Sequence, residues 1–280
     1  MTASYGGGGY QPVSSVPGAL PYPRRAEEAT AAMIVTRRDG AVVVITIDRH
    51  ETRNALDAEV CTALREAVEA AGAQAEAEDP VRSIVITGAG TAFCAGADLS
   101  GGVYNSNFYD AHAGMLRAVE SVPVPVIAAV NGPAVGAGVQ LALAADLRVV
   151  APGAVFTVPV VKVGLALDNW TIKRLANVVG GGHARSVLMT ARPVGAEEAA
   201  RIGLANEIGD LQAARELAGE LARSAPLSLR HIKTVINDDD ARLLPRDEHT
   251  ELQLRAWSSE DMAEARAARA EKRPPVFRGR

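Results

Sequence analysis

The sequence predicts an α/β fold in which the strands of a largely parallel sheet alternate with helices. Short β-branched runs recur up to about residue 209, and segments with apolar residues at helical spacing lie between them. Apolar residues make up 48% of the 280 residues and charged residues 22%, which is typical of a chain with a packed core. Strand and helix in alternation favour βαβ units with right-handed crossovers.

The first segment of the chain differs from the rest. It is rich in Gly, Pro, Ser and Tyr and has neither a helical nor a strand period, so we predict a disordered tail over residues 1–31. A tail that folds over a neighbouring subunit is the alternative. No basic stretch followed by an apolar stretch is present there, so we do not expect a signal peptide.

The regular elements follow from β-branched runs and helical periods. Strands are predicted where turn residues bound a β-branched run, at 41–47, 83–87, 124–130, 147–150 and 156–158. A helix is predicted from Asp57 to about Ala75, with Asp57 as its N-cap. The apolar residues that carry this helical period are Val60, Leu64, Ala67, Val68 and Ala71.

The character of the sequence changes after about Gly209, where strand patterns stop. Three helical stretches are predicted at about 210–224, 227–237 and 246–272, and Pro274-Pro275 ends the last one. We therefore expect a core over residues 32–209 and a helical C-terminal segment over residues 210–280.

Charge and cysteine content exclude several classes of protein. The net charge of −4 comes without a basic stripe, so a nucleic-acid partner is not expected. Cys61 and Cys94 are too few for a disulfide framework or a four-ligand zinc site, and both fit a cytoplasmic protein. No apolar run reaches the roughly 18 residues that span a bilayer. The histidines show no metal-ligand spacing and are interpreted as structural or exposed: His50, His112, His183, His231 and His249.

Two glycine-rich stretches carry the functional information. Residues 88–99 follow a strand and consist almost wholly of small residues, which let a ligand approach the backbone, although a tight turn explains them equally well. In residues 131–146 a strand runs into a glycine-rich turn and then into an Ala/Leu helix. The free amides at such a helix start suit an oxyanion, and the alternative is a closely packed buried helix.

Together the two stretches resemble the crotonase (enoyl-CoA hydratase/isomerase) superfamily. The matching pattern is Phe-x-Ala-Gly-Ala-Asp-Leu at 93–99, Pro-Val-Ile-Ala-Ala-Val-Asn-Gly at 125–132, and Gly-x-Gly at 136–138 before an apolar helix that ends in Asp146. The resemblance covers roughly residues 33–280. It implies a ββα superhelix core of the ClpP/crotonase type, a C-terminal helical oligomerisation segment, a homotrimer or hexamer, and fatty acyl-CoA as the partner.

The resemblance also implies roles for individual residues. The backbone amides of Ala97 and Ala137 would hold the thioester oxygen, and no metal or permanently bound cofactor would take part. Coenzyme A would enter only as part of the acyl-CoA ligand. Its phosphates and adenine would meet Arg53 and the loop from Ala95 to Leu99, and Lys272, Phe277 and Arg278 would reach it from a neighbouring subunit. For Arg53 and Lys272 a solvated surface charge is the alternative. The loop residues are Ala95, Gly96, Ala97, Asp98 and Leu99.

The sequence departs from the hydratase pattern where proton transfer is needed. Hydratases of the family use two glutamates, and the corresponding positions here hold Gln140 and Val160. Glutamine cannot transfer a proton near pH 7, and valine has no polar group. One such acid or base contributes about 10²–10⁴-fold to the rate, so we predict that hydration is close to negligible.

One carboxylate follows these positions. Asp168 lies in Gly-Leu-Ala-Leu-Asp-Asn-Trp at 164–170, which resembles the segment of dienoyl-CoA isomerases that carries an aspartate, and an N-cap is its alternative role. This segment and the Glu-Lys-Arg-Pro-Pro-x-Phe end resemble an actinobacterial subgroup linked to fatty acyl-CoA handling. Three hypotheses stay open: an acyl-CoA binder or carrier, an isomerase-type enzyme that uses Asp168 or another carboxylate, and a hydratase with a relocated acid and base.

Overall fold

The computed structural model describes residues 33–98, 106–162, 167–238, 251, 255 and 258–280. The tail predicted over residues 1–31 lies outside the described residues. Ala32–Arg280 forms one compact unit.

The chain forms two sheets, and the larger one has six strands in the order β1-β2-β3-β4-β6-β9. In that sheet β1 pairs antiparallel with β2, and every other pair is parallel. The smaller sheet has the order β5-β7-β8, with β5 and β7 parallel. The strands are β1 Ile34–Asp39, β2 Val42–Ile47, β3 Ser83–Gly88, β4 Val126–Val130, β5 Ala134–Val135, β6 Leu147–Val150, β7 Val155–Thr157, β8 Val194–Gly195 and β9 Glu207–Ile208.

The helices confirm the alternation that the sequence predicts. Asp57 caps the first helix, as expected, because its carboxylate accepts a hydrogen bond from the backbone N–H of Val60. No helix within the described ranges is both long and apolar enough to cross a bilayer. The helices are α1 Ala58–Ala73, α2 Ser106–Ser121, α3 Ala137–Ala144, α4 Asn169–Thr190, α5 Ala196–Arg201, α6 Leu211–Ala222, α7 Pro226–Asn237 and α8 Glu260–Glu271.

The large sheet is buried on both faces, which explains why β3 and β4 are buried at every position and show no alternation of polar and apolar residues. One face packs with α1, α2 and α3 in the main core. The other face is covered by α6, whose Ala214 and Ala218 are fully buried against it. The Ser83 hydroxyl also donates to the Ala218 carbonyl at 2.9 Å. The first helix of the predicted C-terminal segment therefore closes the core.

Two buried arginines hold the far end of α3. Arg148 Nη1 donates to the Ala145 carbonyl at 3.0 Å, and Arg174 Nε donates to the Leu143 carbonyl at 3.0 Å. The last carbonyls of a helix have no intrahelical partner, so these contacts satisfy groups that burial would otherwise leave unpaired. With its C-terminus fixed in this way, α3 presents its N-terminus at a defined place.

A buried ion pair attaches α7 to the core. Lys233 Nζ lies 2.9 Å from Asp146 Oδ2 and donates to the carbonyls of Val119 and Val124 at 2.9 and 3.1 Å. Burial lowers the pKa of Lys233, and the Asp146 carboxylate opposes that shift. Removal of either partner would leave a buried charge uncompensated.

Candidate functional site

The fold brings the two glycine-rich stretches side by side. Cys94 and Ala134 form a parallel bridge, and the Val135 N–H donates to the Cys94 carbonyl at 2.9 Å. A Cβ atom at Gly138 would lie 2.3 Å from that carbonyl oxygen. Only glycine permits this approach at the first turn of α3, so the small residues of both stretches are explained by close packing of their backbones.

Each predicted oxyanion amide follows a glycine with positive φ. Gly96 has φ 99° and precedes Ala97, while Gly136 has φ 51° and precedes Ala137. A Cβ atom at Gly96 would lie 2.8 Å from the Val135 carbonyl oxygen and 3.8 Å from the Ala137 nitrogen. The structure thus brings the two predicted amides into one neighbourhood, through backbone conformations that side-chain-bearing residues rarely adopt.

The backbone hydrogen bonds around the two amides do not use their N–H groups. In the parallel bridge of Leu56 with Ala97, Leu56 N–H donates to the Gly96 carbonyl at 2.8 Å and Asp98 N–H donates to the Leu56 carbonyl at 2.7 Å. Ala137 is the first residue of α3, where an N–H has no intrahelical acceptor. In the described part of the chain, neither N–H donates to another backbone group. Two such donors, one of them at a helix start, suit a developing oxyanion.

Asn54 fixes the first glycine-rich stretch from below, a role that the sequence did not reveal. It is fully buried and has φ 60°. Its Nδ2 donates to the carbonyls of Ala89 and Ala92 at 2.9 and 2.7 Å, and its Oδ1 accepts from the Arg49 N–H at 3.0 Å. Asparagine tolerates the left-handed conformation and offers both donors and an acceptor, which suits it to this position.

The cysteines are structural. Burial raises the pKa of Cys94 to about 12, and burial also raises the pKa of Cys61 to about 12. Thiols with such values stay protonated near neutral pH, so neither acts as a nucleophile. Cys94 Sγ instead accepts from the Gly96 N–H at 3.4 Å and supports the turn. Among the described residues no group of His, Cys, Asp and Glu side chains could hold a metal ion.

Gln140, which lies one turn along α3, forms a hydrogen-bonded triad with Asp168 and Thr171 at the start of α4. Gln140 Nε2 donates to Asp168 Oδ2 at 2.9 Å and to Thr171 Oγ1 at 2.6 Å. The Thr171 hydroxyl donates to the same Asp168 oxygen at 2.6 Å. Asp168 also accepts from the Thr171 N–H at 2.9 Å, which confirms it as the N-cap of α4. Its carboxylate is exposed, whereas Thr171 is buried.

Val160 follows the strand that adjoins the start of α3. It begins a short 3-10 turn, Val160–Lys162, which is separated from β7 by two residues. The Gly136 N–H donates to the carbonyl of Thr157, the last residue of β7, at 2.9 Å, so β7 adjoins the start of α3. Val160 is half-buried and packs against the main core. An apolar side chain therefore occupies this position.

His112, which the sequence predicted to be structural or exposed, is buried and borders this region. Its ring stacks on Phe108, with centroids 5.5 Å apart and planes at 16°, and its side chain is 7% exposed. Its Nε2 is buried and has no hydrogen-bond partner among the described residues. Burial lowers the pKa of His112 to about 4, and the nearby Asp168 carboxylate opposes that shift. The only available sequence signal was a histidine on the apolar face of α2.

The predicted coenzyme A loop is held by main-chain contacts. The Ala95 N–H donates to the Arg53 carbonyl at 3.0 Å, and Arg49 Nη2 lies 3.6 Å from Asp98 Oδ2. Arg53 has φ 54°, and its side chain is exposed. Leu99 lies outside the described residues. A coenzyme A contact by this loop stays a prediction.

The predicted C-terminal contact residues lie at the end of α8 and in the tail after it. Lys272 and Arg278 are exposed, and Phe277 is half-buried. The tail folds back on α8 because Asp261 accepts the N–H groups of Arg278 and Gly279 at 2.5 and 2.7 Å. Their contact with coenzyme A across a subunit boundary stays a prediction.

Comparison with known proteins places this geometry in a family. The enoyl-CoA hydratase/isomerase family profile matches residues 37–280. A relative from Mycobacterium leprae (strain TN), named as a probable enoyl-CoA hydratase, is 49% identical over 245 residues, which cover 88% of this chain and 98% of the relative. The carnitinyl-CoA dehydratase of Escherichia coli (strain K12) is 35% identical over 259 residues, covering 87% of this chain and 97% of the relative.

Solved structures agree with the sequence relatives. An enoyl-CoA hydratase/isomerase family protein from Hyphomonas neptunium superposes with a TM-score of 0.78 at 34% identity, over 89% of this chain and 98% of that one. An enoyl-CoA hydratase from Mycobacterium tuberculosis H37Rv also gives a TM-score of 0.78, at 29% identity, over 89% of this chain and 100% of that one. The crotonase fold that the sequence predicted is confirmed, and the chain belongs to the enoyl-CoA hydratase/isomerase family.

Proposed function

We propose that this protein binds fatty acyl-CoA thioesters, with the thioester oxygen between the amides of Ala97 and Ala137, and that it does not hydrate 2-enoyl-CoA at an enzyme rate. The proposal rests mainly on the hydrogen bonds of the Gln140 side chain. Both hydrogens of its amide are donated, to Asp168 and Thr171, and a glutamine offers no proton to transfer.

The binding half of the proposal is supported by the backbone. Gly96 and Gly136 hold positive-φ conformations, which side-chain-bearing residues rarely adopt, directly before the two amides, and both amides lack a backbone acceptor in the described ranges. The coenzyme A part would contact Arg53 and the loop of residues 95–99, with Lys272, Phe277 and Arg278 contributed by a neighbouring subunit of a trimer or hexamer.

The second half rests on the absence of a proton donor and acceptor where hydration needs them. Val160 is apolar, and Gln140 is engaged by α4. The two oxyanion donors can stabilise charge on a thioester oxygen. They cannot activate a water molecule, nor can they protonate the carbon next to the carbonyl, because both steps need a group that gains or loses a proton.

A second candidate function is an isomerase-type reaction in which Asp168 serves as the base. The exposure of its carboxylate and its contact with Gln140 favour this candidate. Against it, Asp168 already accepts three hydrogen bonds and caps α4, which accounts for an aspartate at this position. Loss of a measured double-bond migration in Asp168→Asn would identify this second function.

Calorimetry tests the binding half. We expect palmitoyl-CoA and butyryl-CoA to bind more tightly than free coenzyme A, because only the thioesters carry an oxygen for the two amides. Chromatography of the recovered ligand should show the thioester unchanged. Equal affinity for acyl-CoA and coenzyme A would refute the proposal. Light scattering on the same sample should give a trimer or hexamer, and a monomer at micromolar concentration would remove the subunit-boundary contacts.

A further inference from the structure

Side chains from two other helices tie the first turn of α4 to its surroundings. On one side, Asp168 and Thr171 accept hydrogen bonds from the Gln140 amide of α3. On the other side, the Trp170 Nε1–H donates to Glu120 Oε1 of α2 at 3.0 Å. Trp170 lies between Asp168 and Thr171 in the chain, so a displacement of its indole would displace the turn that carries both groups.

The indole of Trp170 depends on this acceptor. The ring is half-buried and packs against the main core. An indole has one polar hydrogen and no acceptor atom, and a tryptophan removed from water usually finds a partner for that hydrogen. A carboxylate accepts such a hydrogen bond more strongly than a neutral acceptor does. Glu120 therefore fixes both the position and the orientation of the ring.

The backbone that carries Glu120 is held by α7. Lys233 Nζ donates to the carbonyls of Val119 and Val124, on either side of Glu120, at 2.9 and 3.1 Å. Asn237 Nδ2, one turn further along α7, donates to the Glu120 carbonyl at 3.1 Å. Carbonyls at the end of a helix have no intrahelical partner, so these contacts satisfy them and also fix the end of α2. The Glu120 carboxylate is thus presented to Trp170 from a fixed backbone.

We propose that Glu120 is a positioning residue of the acyl-CoA site, which holds the start of α4 against Gln140 through Trp170. This inference rests on the proposed function, because it takes the thioester oxygen to lie at Ala97 and Ala137. Gln140 stands three residues after Ala137, on the same face of α3. The start of α4 therefore lies beside the thioester end of the ligand. Loss of the Glu120 contact would weaken binding of the acyl thioester and spare binding of free coenzyme A.

Calorimetry with butyryl-CoA and coenzyme A separates positioning from general destabilisation. We expect Glu120→Leu to weaken butyryl-CoA binding about fivefold, as the loss of one hydrogen bond predicts, and to leave coenzyme A binding unchanged. Glu120→Gln should keep most of the native affinity, because the glutamine oxygen accepts the same N–H. Glu216→Leu is the matched control. Glu216 also accepts a side-chain N–H at 2.9 Å, from Gln212, but on α6 at the other face of the large sheet.

A double-mutant cycle shows whether Glu120 acts through Trp170. Trp170→Phe removes the N–H and keeps an aromatic ring, so it should weaken butyryl-CoA binding by a similar factor. The variant with both changes should then bind about as well as either single variant, because each single change already removes the interaction. Losses that multiply in the double variant would overturn the inference, and so would an equal loss of butyryl-CoA and coenzyme A affinity in Glu120→Leu.

The native protein tests the proposed function separately. Equal native affinity for butyryl-CoA and coenzyme A would refute the proposed function and this inference with it. A native preference for butyryl-CoA that persists unchanged in folded Glu120→Leu would overturn this inference alone. Should Glu120→Leu not fold, Trp170→Phe decides: a reduced preference supports the inference, and an unchanged preference overturns it.

Discussion

The proposed oxyanion side of the site and the proposed proton-transfer side are built differently. The amides of Ala97 and Ala137 are positioned by backbone: glycines at positive φ, a β-bridge and a helix start. The proton-transfer side depends on what the side chains at Gln140 and Val160 can do. The two donor positions themselves tolerate sequence change, since an alanine N–H donates as well as a glycine N–H does. Acid–base chemistry does not tolerate change, since one substitution removes it.

The largest expected effect comes from restoration of the missing groups. Gln140→Glu would set a second carboxylate beside Asp168, and two carboxylates at that distance share a proton rather than ionise independently. We therefore expect the triple variant Gln140→Glu, Val160→Glu, Asp168→Asn to gain about 10²-fold or more in crotonyl-CoA hydration over the native chain. Asparagine keeps the cap of α4. The double variant with Asp168 unchanged should gain less.

The measurement is the decrease in the enoyl absorbance of crotonyl-CoA, with the native protein and the variants at equal concentration. The single variant Gln140→Glu is the control. Residues that act as a unit contribute non-additively, so the single variant should gain little. If the triple variant folds, binds acyl-CoA and still shows no hydration, the difference between the two sides of the site does not explain the activity.

The pH dependence of stability probes His112, which lies near Asp168 on the proposed proton-transfer side. The pKa of His112 in the folded protein is about 4, below its ordinary value of about 6.5, so the unfolded chain binds a proton first as the pH falls. Stability is then fully present above about pH 6.5 and is lost down to about pH 4, by about 3 kcal/mol.

Urea unfolding at pH 7 and pH 4.5 measures this loss. His112→Asn should remove most of it, whereas the exposed His183→Asn should not. An identical pH dependence for the native protein and His112→Asn would mean that His112 is not held neutral by burial.

The oxyanion side can be tested by removal of one N–H. Ala137 is the first residue of α3, and proline is tolerated at that helix position, where its missing N–H breaks no intrahelical bond. We expect Ala137→Pro to weaken butyryl-CoA binding about tenfold and to leave coenzyme A binding unchanged, as the loss of one hydrogen bond predicts.

Ala196→Pro is the control, since Ala196 also begins a helix directly after a glycine. If Ala137→Pro kept the native difference in affinity between butyryl-CoA and coenzyme A, the Ala137 N–H would not be a donor to the thioester oxygen. Circular dichroism would establish that both variants are folded.

The smallest effect concerns the cap of α4. Asp168→Ala removes the acceptor for the Thr171 N–H and should destabilise the fold by about 1 kcal/mol, whereas Asp168→Asn should cost a few tenths. Chemical unfolding compares them. Equal stability of the two variants would show that the role of Asp168 is not structural, and would favour its use in chemistry.

Helix caps and strands, which depend on local sequence patterns, could be predicted from the sequence. The caps at Asp57 and Asp168 are confirmed, as are the strands near 41–47 and 83–87, because each depends on neighbouring residues. The strand β1 at Ile34–Asp39 was not predicted, since its exposed Thr and Arg residues form an edge strand without a strong apolar signal.

The contacts that shape the site were beyond sequence reasoning. Gln140 meets Thr171 across 31 residues, and Asn54 reaches Ala92 across 38 residues. The burial of His112 beside Asp168 likewise depends on how α2 packs. Such contacts arise from the packing of helices and loops that are distant in the chain, so no local sequence pattern can predict them. Motif positions identified the candidate residues, and the fold alone shows which of them touch.

The most direct test of the account is the rate of crotonyl-CoA hydration by the unmodified protein at a concentration where calorimetry shows the thioester bound. The account predicts a rate indistinguishable from the buffer control, because the proposed oxyanion amides could bind the thioester while neither a glutamine at 140 nor a valine at 160 can relay a proton. A turnover of about 10 s⁻¹ or more, typical of an enzyme, would contradict it. Asp168 would then be the first residue to change.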